Sequence, residues 1–582
     1  MNKSMFKLLE EELSELVKGI GYKEGITLVV SNRPDLGEYQ VNDAMKFAKL
    51  YHKNPNVIAE EIVEVFKKTD YFSDISVAGA GFINLSISNT FLIKFLNNIN
   101  SNIKNNVDEK EKIKVVLDYG GANVAKALHV GHLRSANIGE GIKRLANLVG
   151  IETISDVHLG DSGLQAGIVM LEMKERFPDL ACFKEGYDGE DFELPITKDD
   201  LREIYPTGSQ KAHEDEARME EARKITFELQ KDNKCYNTLW NKITALSIAD
   251  IRSTYDLLNC SFDLYEGERD SFKYIPDMMK ELEDKKLLYK SEGATVIDVK
   301  EESDTKEMPP AILVKSDGAY LYATTDLATI YGRVKRFNPD EIWYVTDNRQ
   351  SLHFEQVFRA SKKANFTPNT VLRHFPFGTM NGPDGKPFKT RAGGVMGLND
   401  LIEMIYNACY ERINDNIVSA DKKEETAMKI ALAALKYADY LPYRETDYIF
   451  DLNKFTDLDG KTGPYLLYST IRIRSLLNKA KEEGFEYKEF KTISGKTDKD
   501  VILTLLNMSS YINKAYEAKS LNDLAEYIYM LTSNYNKFYQ EHRVLTEENA
   551  DLKESWLVLS KVVYDANMLL LNIMGIDVPE KM

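Results

Sequence analysis

Long apolar runs are absent from this chain of 582 residues. With no run of about 18 apolar residues, no membrane span is expected. Cysteine is scarce. The four residues at 182, 235, 260 and 409 lie far apart and form no Cys-x-x-Cys pair, which speaks against a zinc site and a disulfide framework. Excess basic charge is absent too. The net charge is −17, so a nucleic-acid partner would have to be met by local basic faces on an acidic body, with salt-sensitive binding. There are no internal repeats and no low-complexity segments. The opening Met1-Asn2-Lys3-Ser4-Met5-Phe6-Lys7 leads into a polar amphipathic helix, where a secretory signal would need an apolar one. A composition of 43 per cent apolar and 29 per cent charged residues is that of a soluble globular protein, and a cytoplasmic location is the expectation.

The length asks for three or four domains. Residues 1–110 read as a small α/β unit. Its strand signals are at 26–30, 75–78 and 82–87, its amphipathic helix runs over 55–68, and the polar stretch 97–114 reads as a linker. Residues 111–395 alternate strand and helix signals, as in a doubly wound parallel sheet of Rossmann type, with an insertion at about 172–250. Within it, 211–231 is rich in Glu, Ala, Arg and Lys and reads as a solvated surface helix without chemistry. From 396 to 582 strand signals fade and helical patterns such as 425–437, 465–481 and 552–573 take over, predicting an all-α domain.

The most informative stretch is Val115 to Ser135. An apolar run ends in Gly120-Gly121-Ala122-Asn123-Val124-Ala125-Lys126, and a helix begins at His129-Val130-Gly131-His132. A strand, a tight turn and a helix N-terminus together make a phosphate site at the edge of a parallel sheet. The ring N–H groups of two imidazoles can donate to phosphate oxygens, and Gly131 lets a base or ribose lie on the backbone. This stretch resembles the His-Ile-Gly-His motif of class I aminoacyl-tRNA synthetases. With Asn-Val-Ala-Lys before it and Leu-Arg-Ser after it, it is similar to the arginyl-tRNA synthetase family.

The resemblance extends from Gly37 to Met582. Gly385-Lys386-Pro387-Phe388-Lys389-Thr390-Arg391 is similar to the family's degenerate Lys-Met-Ser-Lys-Ser loop, with Phe388 where a first lysine is usual. The resemblance implies that Lys126 supplies the missing charge, that Lys126, His129, His132 and Arg391 are catalytic, and that His129, Gly131, His132, His353, Lys389, Thr390 and Arg391 bind ATP. Tyr320 to Ala328 resembles the family's Tyr-x-x-x-Asp element. That spacing puts Tyr322 and Asp326 on one helix face, which by itself describes an ordinary helix surface. A guanidinium selected by carboxylates wants planar, bidentate partners. The resemblance implies Asn123, Tyr322, Asp326 and Gln350 as arginine-binding residues, with Asp118 and Glu268 as weaker carry-overs. It also places Phe82 and Asn84 against the D-loop of the tRNA, and Tyr465, Tyr468 and Met582 against its anticodon. His158-Leu159-Gly160-Asp161-Ser162-Gly163-Leu164-Gln165 matches a further family element but has Ser162 where tryptophan is usual. Arg269 replaces a common serine.

What the resemblance implies is ATP-dependent activation of L-arginine and its transfer to tRNA(Arg), with Mg²⁺ held on the ATP phosphates and no dedicated protein metal site, by a cytoplasmic monomer without a membrane partner. Two rivals differ in class. One is a class I synthetase for another amino acid, such as glutamate or cysteine. The other is a tRNA-binding paralogue without aminoacylation activity. Tyr322 and Asp326 and the lack of zinc ligands stand against the first, and intact Lys126, His129 and His132 against the second.

Overall fold

The computed structural model describes residues 1–582 apart from 232, 317, 387 and 389–395 and the side chain of residue 230. Near the N-terminus, β1 (Leu28–Val30), β2 (Tyr39–Val41), β3 (Phe72–Ala78) and β4 (Phe82–Ile87) form an antiparallel sheet in the order β1-β2-β4-β3. Around it lie α1 (Met5–Gly19), α2 (Asp43–Tyr51), α3 (Pro55–Phe66) and α4 (Asn89–Ser101). The Ser4 hydroxyl caps α1 at Lys7 N–H, and Leu9, Leu13 and Val17 make its buried stripe. The stretch 97–114 is not a free linker. Its first five residues finish α4, Ile103–Asn106 form one 3-10 turn, and Asn97 and Asn106 donate to the carbonyls of Phe490 and Leu505 at 2.9 and 2.7 Å. Asparagine-rich composition suggested a connector; here the amides tie the segment to the C-terminal helices.

The central sheet contains β5 (Lys114–Asp118) and β6 (Glu152–Asp156), joined through α5 (Val130–Leu148). The chain then runs through α6 (Leu164–Arg176), α7 (Lys198–Glu214), α8 (Glu216–Gln230), α9 (Lys234–Leu257) and α10 (Ile275–Asp284). A three-stranded antiparallel sheet follows, of β7 (Leu288–Ser291), β8 (Ala294–Ile297) and β9 (Ala311–Val314). Then α11 (Tyr322–Phe337), β10 (Glu341–Tyr344), α12 (Ser351–Lys363) and β11 (Val371–His374) complete the central unit. The parallel order is β11-β10-β5-β6, so the direction of winding reverses between β5 and β10. The crevice at that switch point, beyond Asp118 and Tyr344, is where a doubly wound sheet binds its ligand. Alternate residues of β5 serve two cores: Val115 and Leu117 join the one containing Leu133 of α5, and Val116 joins the one containing Leu327 and Ile330 of α11.

The segment 211–231 differs from a single solvated helix. The chain breaks at Asp215, whose carboxylate caps α8 at Ala217 N–H (2.9 Å). Met219, Ala222, Ile225 and Leu229 are then buried, and α8 packs on α6 so closely that a Cβ on Gly167 would lie 2.1 Å from the Ala222 carbonyl. Charge on the outer face hid an apolar stripe at helical spacing. The four cysteines are free, yet the fold brings Cys182 and Cys235 into thiol contact.

After the short β12 (Met380–Asn381) come α13 (Leu398–Tyr410) and α14 (Ala420–Tyr440), then β13 (Tyr448–Ile449), which pairs parallel with β12 and is the one strand in the stretch read as all-α. The rest is helical: α15 (Leu452–Phe455), α16 (Gly463–Glu482), α17 (Lys496–Leu506), α18 (Met508–Ala518), α19 (Asn522–Glu541) and α20 (Ala550–Ile573). Among the described residues α20 alone has the length and hydropathy of a membrane span. Its Val558, Leu559, Val562, Ala566 and Leu570 are fully buried among its neighbours, as in the core helix of a bundle.

Candidate active site

A cavity of about 590 Å³ opens at the switch point and is lined by β5, β10, α5, α11 and the loops after β6 and β10. One wall of it is the start of α5. His129 is the N-cap residue. Its Nδ1 accepts from Gly131 N–H (3.1 Å), and its own N–H donates to His132 Nδ1 (3.0 Å). Each ring therefore uses Nδ1 as an acceptor, which leaves the proton on Nε2 as a donor. Burial lowers the pKa of both rings. The neighbouring His129 ring and Lys126 add to this at His132, which is pushed down to about 3, and Lys126 and Arg349 add to it at His129. At neutral pH these are two neutral N–H donors at the positive end of a helix dipole. Gly131 is required by closeness, since a Cβ there would lie 2.9 Å from His129 Cε1.

Lys126 follows Ala125, which has φ +59, and reaches a smaller side cavity of about 270 Å³ shared with His129 and Tyr205 of α7. Its Nζ sits 5.8 Å from the Tyr205 ring and makes no hydrogen bond or ion pair among the described residues. An uncommitted ammonium beside His129 can meet a phosphate chain. Of the degenerate loop, Lys386 and Phe388 are described, with Phe388 packed on Phe450 at 6.3 Å. Lys389, Thr390 and Arg391 lie outside the described residues.

The opposite wall is acidic. Asp326, one turn into α11, bonds His353 Nε2 at 2.5 Å, and Tyr322 at the head of the same helix is 62 per cent exposed. Burial works against charge on His353, but the Asp326 carboxylate outweighs it and raises its pKa. The family resemblance implied that His353 binds ATP; here its ring is engaged with Asp326. Glu268 faces the same space. Burial pushes its carboxyl up to about 7, the Ser162 hydroxyl opposes this, and the charge of Asp326 adds to it. Asn123 and Gln350 line the cavity as well. Asn123 pairs with Gly160, where a Cβ would lie 2.3 Å from Asn123 Oδ1.

Beneath this lies a buried cluster that sequence reasoning missed. Arg333 Nη2 sits 2.7 Å from Asp118 and 2.6 Å from Asp156, and His158 Nδ1 is 3.6 Å from Asp156. Burial opposes charge on His158, yet Asp156 and Asp118 raise it to about 9. Asp118, at the cavity floor, is therefore ion-paired with Arg333. No local pattern singles the cluster out, because the order of the strands brings Asp118 and Asp156 of neighbouring strands under Arg333 of α11. Arg349, paired to Asp347 at 2.7 Å, and Thr346 also line the cavity and were missed.

The residues expected to meet RNA lie elsewhere. Phe82 is half-buried on β4. Asn84 is only 1 per cent exposed and accepts from Gln40 at 2.9 Å, so its side chain is turned inward. On α16, Tyr468 is 45 per cent exposed. Tyr465 is half-buried and accepts from Asn536 Nδ2 at 2.8 Å. The C-terminal segment that ends at Met582 is held to α16 by Arg474, which donates to the carbonyls of Pro579 and Glu580.

Three family descriptions match this chain: an arginyl tRNA synthetase N-terminal domain over residues 3–87, the catalytic domain of tRNA synthetases class I (R) over 95–452, and a DALR anticodon binding domain over 466–582. The chain is 42 per cent identical to an arginine–tRNA ligase of Alkaliphilus oremlandii over 586 residues, covering 99 per cent of this chain and all of that one. It is 42 per cent identical to one of Agathobacter rectalis over 599 residues, with both chains covered in full. In fold it is similar to the arginyl-tRNA synthetase of Plasmodium falciparum, with a TM-score of 0.81 at 24 per cent identity and both chains covered in full.

Proposed function

This chain belongs to the arginyl-tRNA synthetase family, and from that premise we propose how its cavity divides the work. The activity itself is arginine–tRNA ligation: ATP-dependent activation of L-arginine to arginyl-adenylate, then transfer to the 3′-terminal adenosine of tRNA(Arg). What supports our assignment of residues is one juxtaposition. Two neutral Nε2–H donors face two carboxylates across a single cavity, and the unpaired Lys126 ammonium reaches the side cavity that shares His129 with it.

In this reading the guanidinium lies against Asp326 and Glu268, with Tyr322 as a wall, and Asn123 and Gln350 hold the α-amino end. One oxygen of the arginine carboxylate attacks the α-phosphorus, the bond to the β-phosphate oxygen breaks, and pyrophosphate leaves. His129 and His132 donate to phosphate oxygens, and Lys126 offsets the charge that builds there. Lys389, Thr390 and Arg391 act on the same phosphates, and Gly131 gives the nucleotide room. In the second step the 2′-OH of the terminal adenosine attacks the carbonyl and AMP leaves. No side chain forms a covalent intermediate, so catalysis is positioning and charge stabilisation.

Mg²⁺ would arrive on the ATP phosphates and offset their charge. The one described cluster with metal-ligand spacing, Asp118, Asp156 and His158, does not fit an ion, because the Arg333 guanidinium already stands between its carboxylates. We further assign residues 1–110, with Phe82, to the tRNA body, 111–395 to catalysis, and 396–582 to the tRNA stem and anticodon, in a cytoplasmic monomer. The deciding experiment is ATP–pyrophosphate exchange with each of the twenty amino acids, with and without total tRNA. Exchange with arginine alone, and only when tRNA is present, is the expected result. Exchange with another amino acid would overturn the substrate, and none under any condition would favour the non-catalytic paralogue.

A further inference from the structure

Two segments meet behind the acidic wall of the cavity as a short parallel ladder. Leu159 N–H donates to Glu266 O (2.7 Å), Glu268 N–H to Leu159 O (3.0 Å), and Arg269 N–H to Asp161 Oδ1 (3.0 Å). The fit is close enough that a Cβ on Gly267 would lie 2.5 Å from the Asp161 carboxylate. Arg269 also donates to Asn237 and Asn241 of α9, which braces the ladder from outside.

This ladder fixes the backbone of Glu268 but not the direction of its carboxylate. One donor does that. The Ser162 hydroxyl donates to Glu268 Oε2, the only side-chain hydrogen bond to that carboxylate among the described residues. Asp326 across the cavity has its own holder in His353. Each carboxylate therefore has one protein donor and keeps its remaining lone pairs for the five N–H groups of a guanidinium. The family resemblance leads one to expect tryptophan at 162. An indole there could not reproduce this bond with a hydroxyl's short reach.

We propose that Ser162 is a positioning residue for arginine selection, its hydroxyl holding Glu268 so that Glu268 and Asp326 receive the guanidinium together. The proposal rests on the ligase reading above. Electrostatics acts in the same direction. The groups around Glu268 are Asp326 and Tyr322 from α11 and His158, Asp161 and Ser162 from the loop after β6; burial, Asp326 and Asp161 favour its protonated form while Ser162 and His158 favour the charged one. Arginine binds the charged form. Loss of the hydroxyl therefore both loosens the carboxylate and raises the pH above which it is ready.

The test is arginine-dependent pyrophosphate exchange, with tRNA present, as a function of pH. In the parent the arginine KM should rise as pH falls below about 7, the value to which Glu268 is pushed. Ser162→Ala should raise the arginine KM about five- to thirty-fold at pH 7, leave the ATP KM in place, and move the pH-dependent rise to higher pH. Ser162→Thr, which keeps the hydroxyl, should restore both. If Ser162→Ala keeps the parent's arginine KM and pH profile, the proposal is overturned. It is equally overturned if the arginine and ATP KM values rise together with a lower Tm, since that is a structural role. A parent that activates a different amino acid would overturn both this proposal and the ligase reading, so the two failures are distinguishable.

Discussion

At the scale of single residues, the site separates groups held in place from groups left free. Lys126 is the free one, with no ion pair or hydrogen bond among the described residues, beside His129 and 5.8 Å from the Tyr205 ring. Removing it should cost no folding contact and one contact to the developing phosphate charge. Lys126→Ala should therefore slow arginine activation by about 10²-fold or more while thermal unfolding stays at the parent temperature. Single-turnover exchange beside a melting curve checks it, and a rate within a few-fold of the parent would return the lysine to the surface. His132 is the held one, and its burial carries a pH signature. Its pKa is pushed from the ordinary 6.5 down to about 3, so the unfolded chain binds a proton there that the folded chain refuses. Its contribution is complete above pH 6.5 and is lost as pH falls from there toward 3. Between pH 7 and 5 the loss amounts to about 2 kcal/mol, at about 1.4 kcal/mol per unit of pH. The Tm gap between the parent and His132→Gln should therefore shrink over that interval. A gap that stays constant would mean the ring titrates as it does in water.

At the scale of elements, α16 carries two tyrosines that the sequence could not tell apart. Both sit in the first two turns, but the helix rotates Tyr465 toward Asn536 and Ser533 and leaves Tyr468 at the surface with the Arg472 guanidinium 5.8 Å from its ring. Stacking on a splayed base is worth about 1–3 kcal/mol. Tyr468→Ala should raise the tRNA KM accordingly and leave the arginine and ATP KM values and the Tm unchanged. Tyr465→Ala should lower the Tm, because it removes one of the two acceptors of Asn536 Nδ2 and a half-buried ring. If Tyr468→Ala charges tRNA like the parent, α16 does not touch the anticodon loop. The same contrast shows what was legible. Strand β5, the cap of α5 and the Tyr322/Asp326 face followed from apolar runs, a small-residue turn and a four-residue step, which are local patterns. The Arg333 cluster, the ion pair of Asp118 within it, the Ser162 bond to Glu268 and the inward turn of Asn84 depend on which segments the sheet order brings side by side. No window of sequence contains that information.

For the whole molecule the relevant quantities are its charge and the continuity of its core. One buried apolar cluster runs from Leu9 and Phe47 through Leu117 and Leu133 to Leu466 and Leu559, so the N-terminal, central and C-terminal parts share a core. Polar ties reinforce it: Tyr39 donates to Asn507 at 2.9 Å, Lys499 meets Glu38 at 2.6 Å, and Arg134 of α5 pairs with Asp439 of α14 at 2.8 Å out of contact with water. Salt screens exposed charges and leaves such a cluster in place. A body with a net charge of −17 repels RNA everywhere except at its local basic contacts. Raising salt should therefore act on RNA binding and not on assembly. Counterion release gives a slope of about 0.9 per phosphate contact, so a fourfold rise in salt multiplies the tRNA KM about tenfold for as few as two contacts. Between 50 and 200 mM salt we expect at least that rise, with the arginine KM nearly constant because its charge is met inside a cavity, and with the Tm unchanged. A tRNA KM that is flat across this range would mean that the RNA is held without phosphate contacts. A Tm that falls in step with it would mean that the three parts are joined by surface charge and not by the shared core.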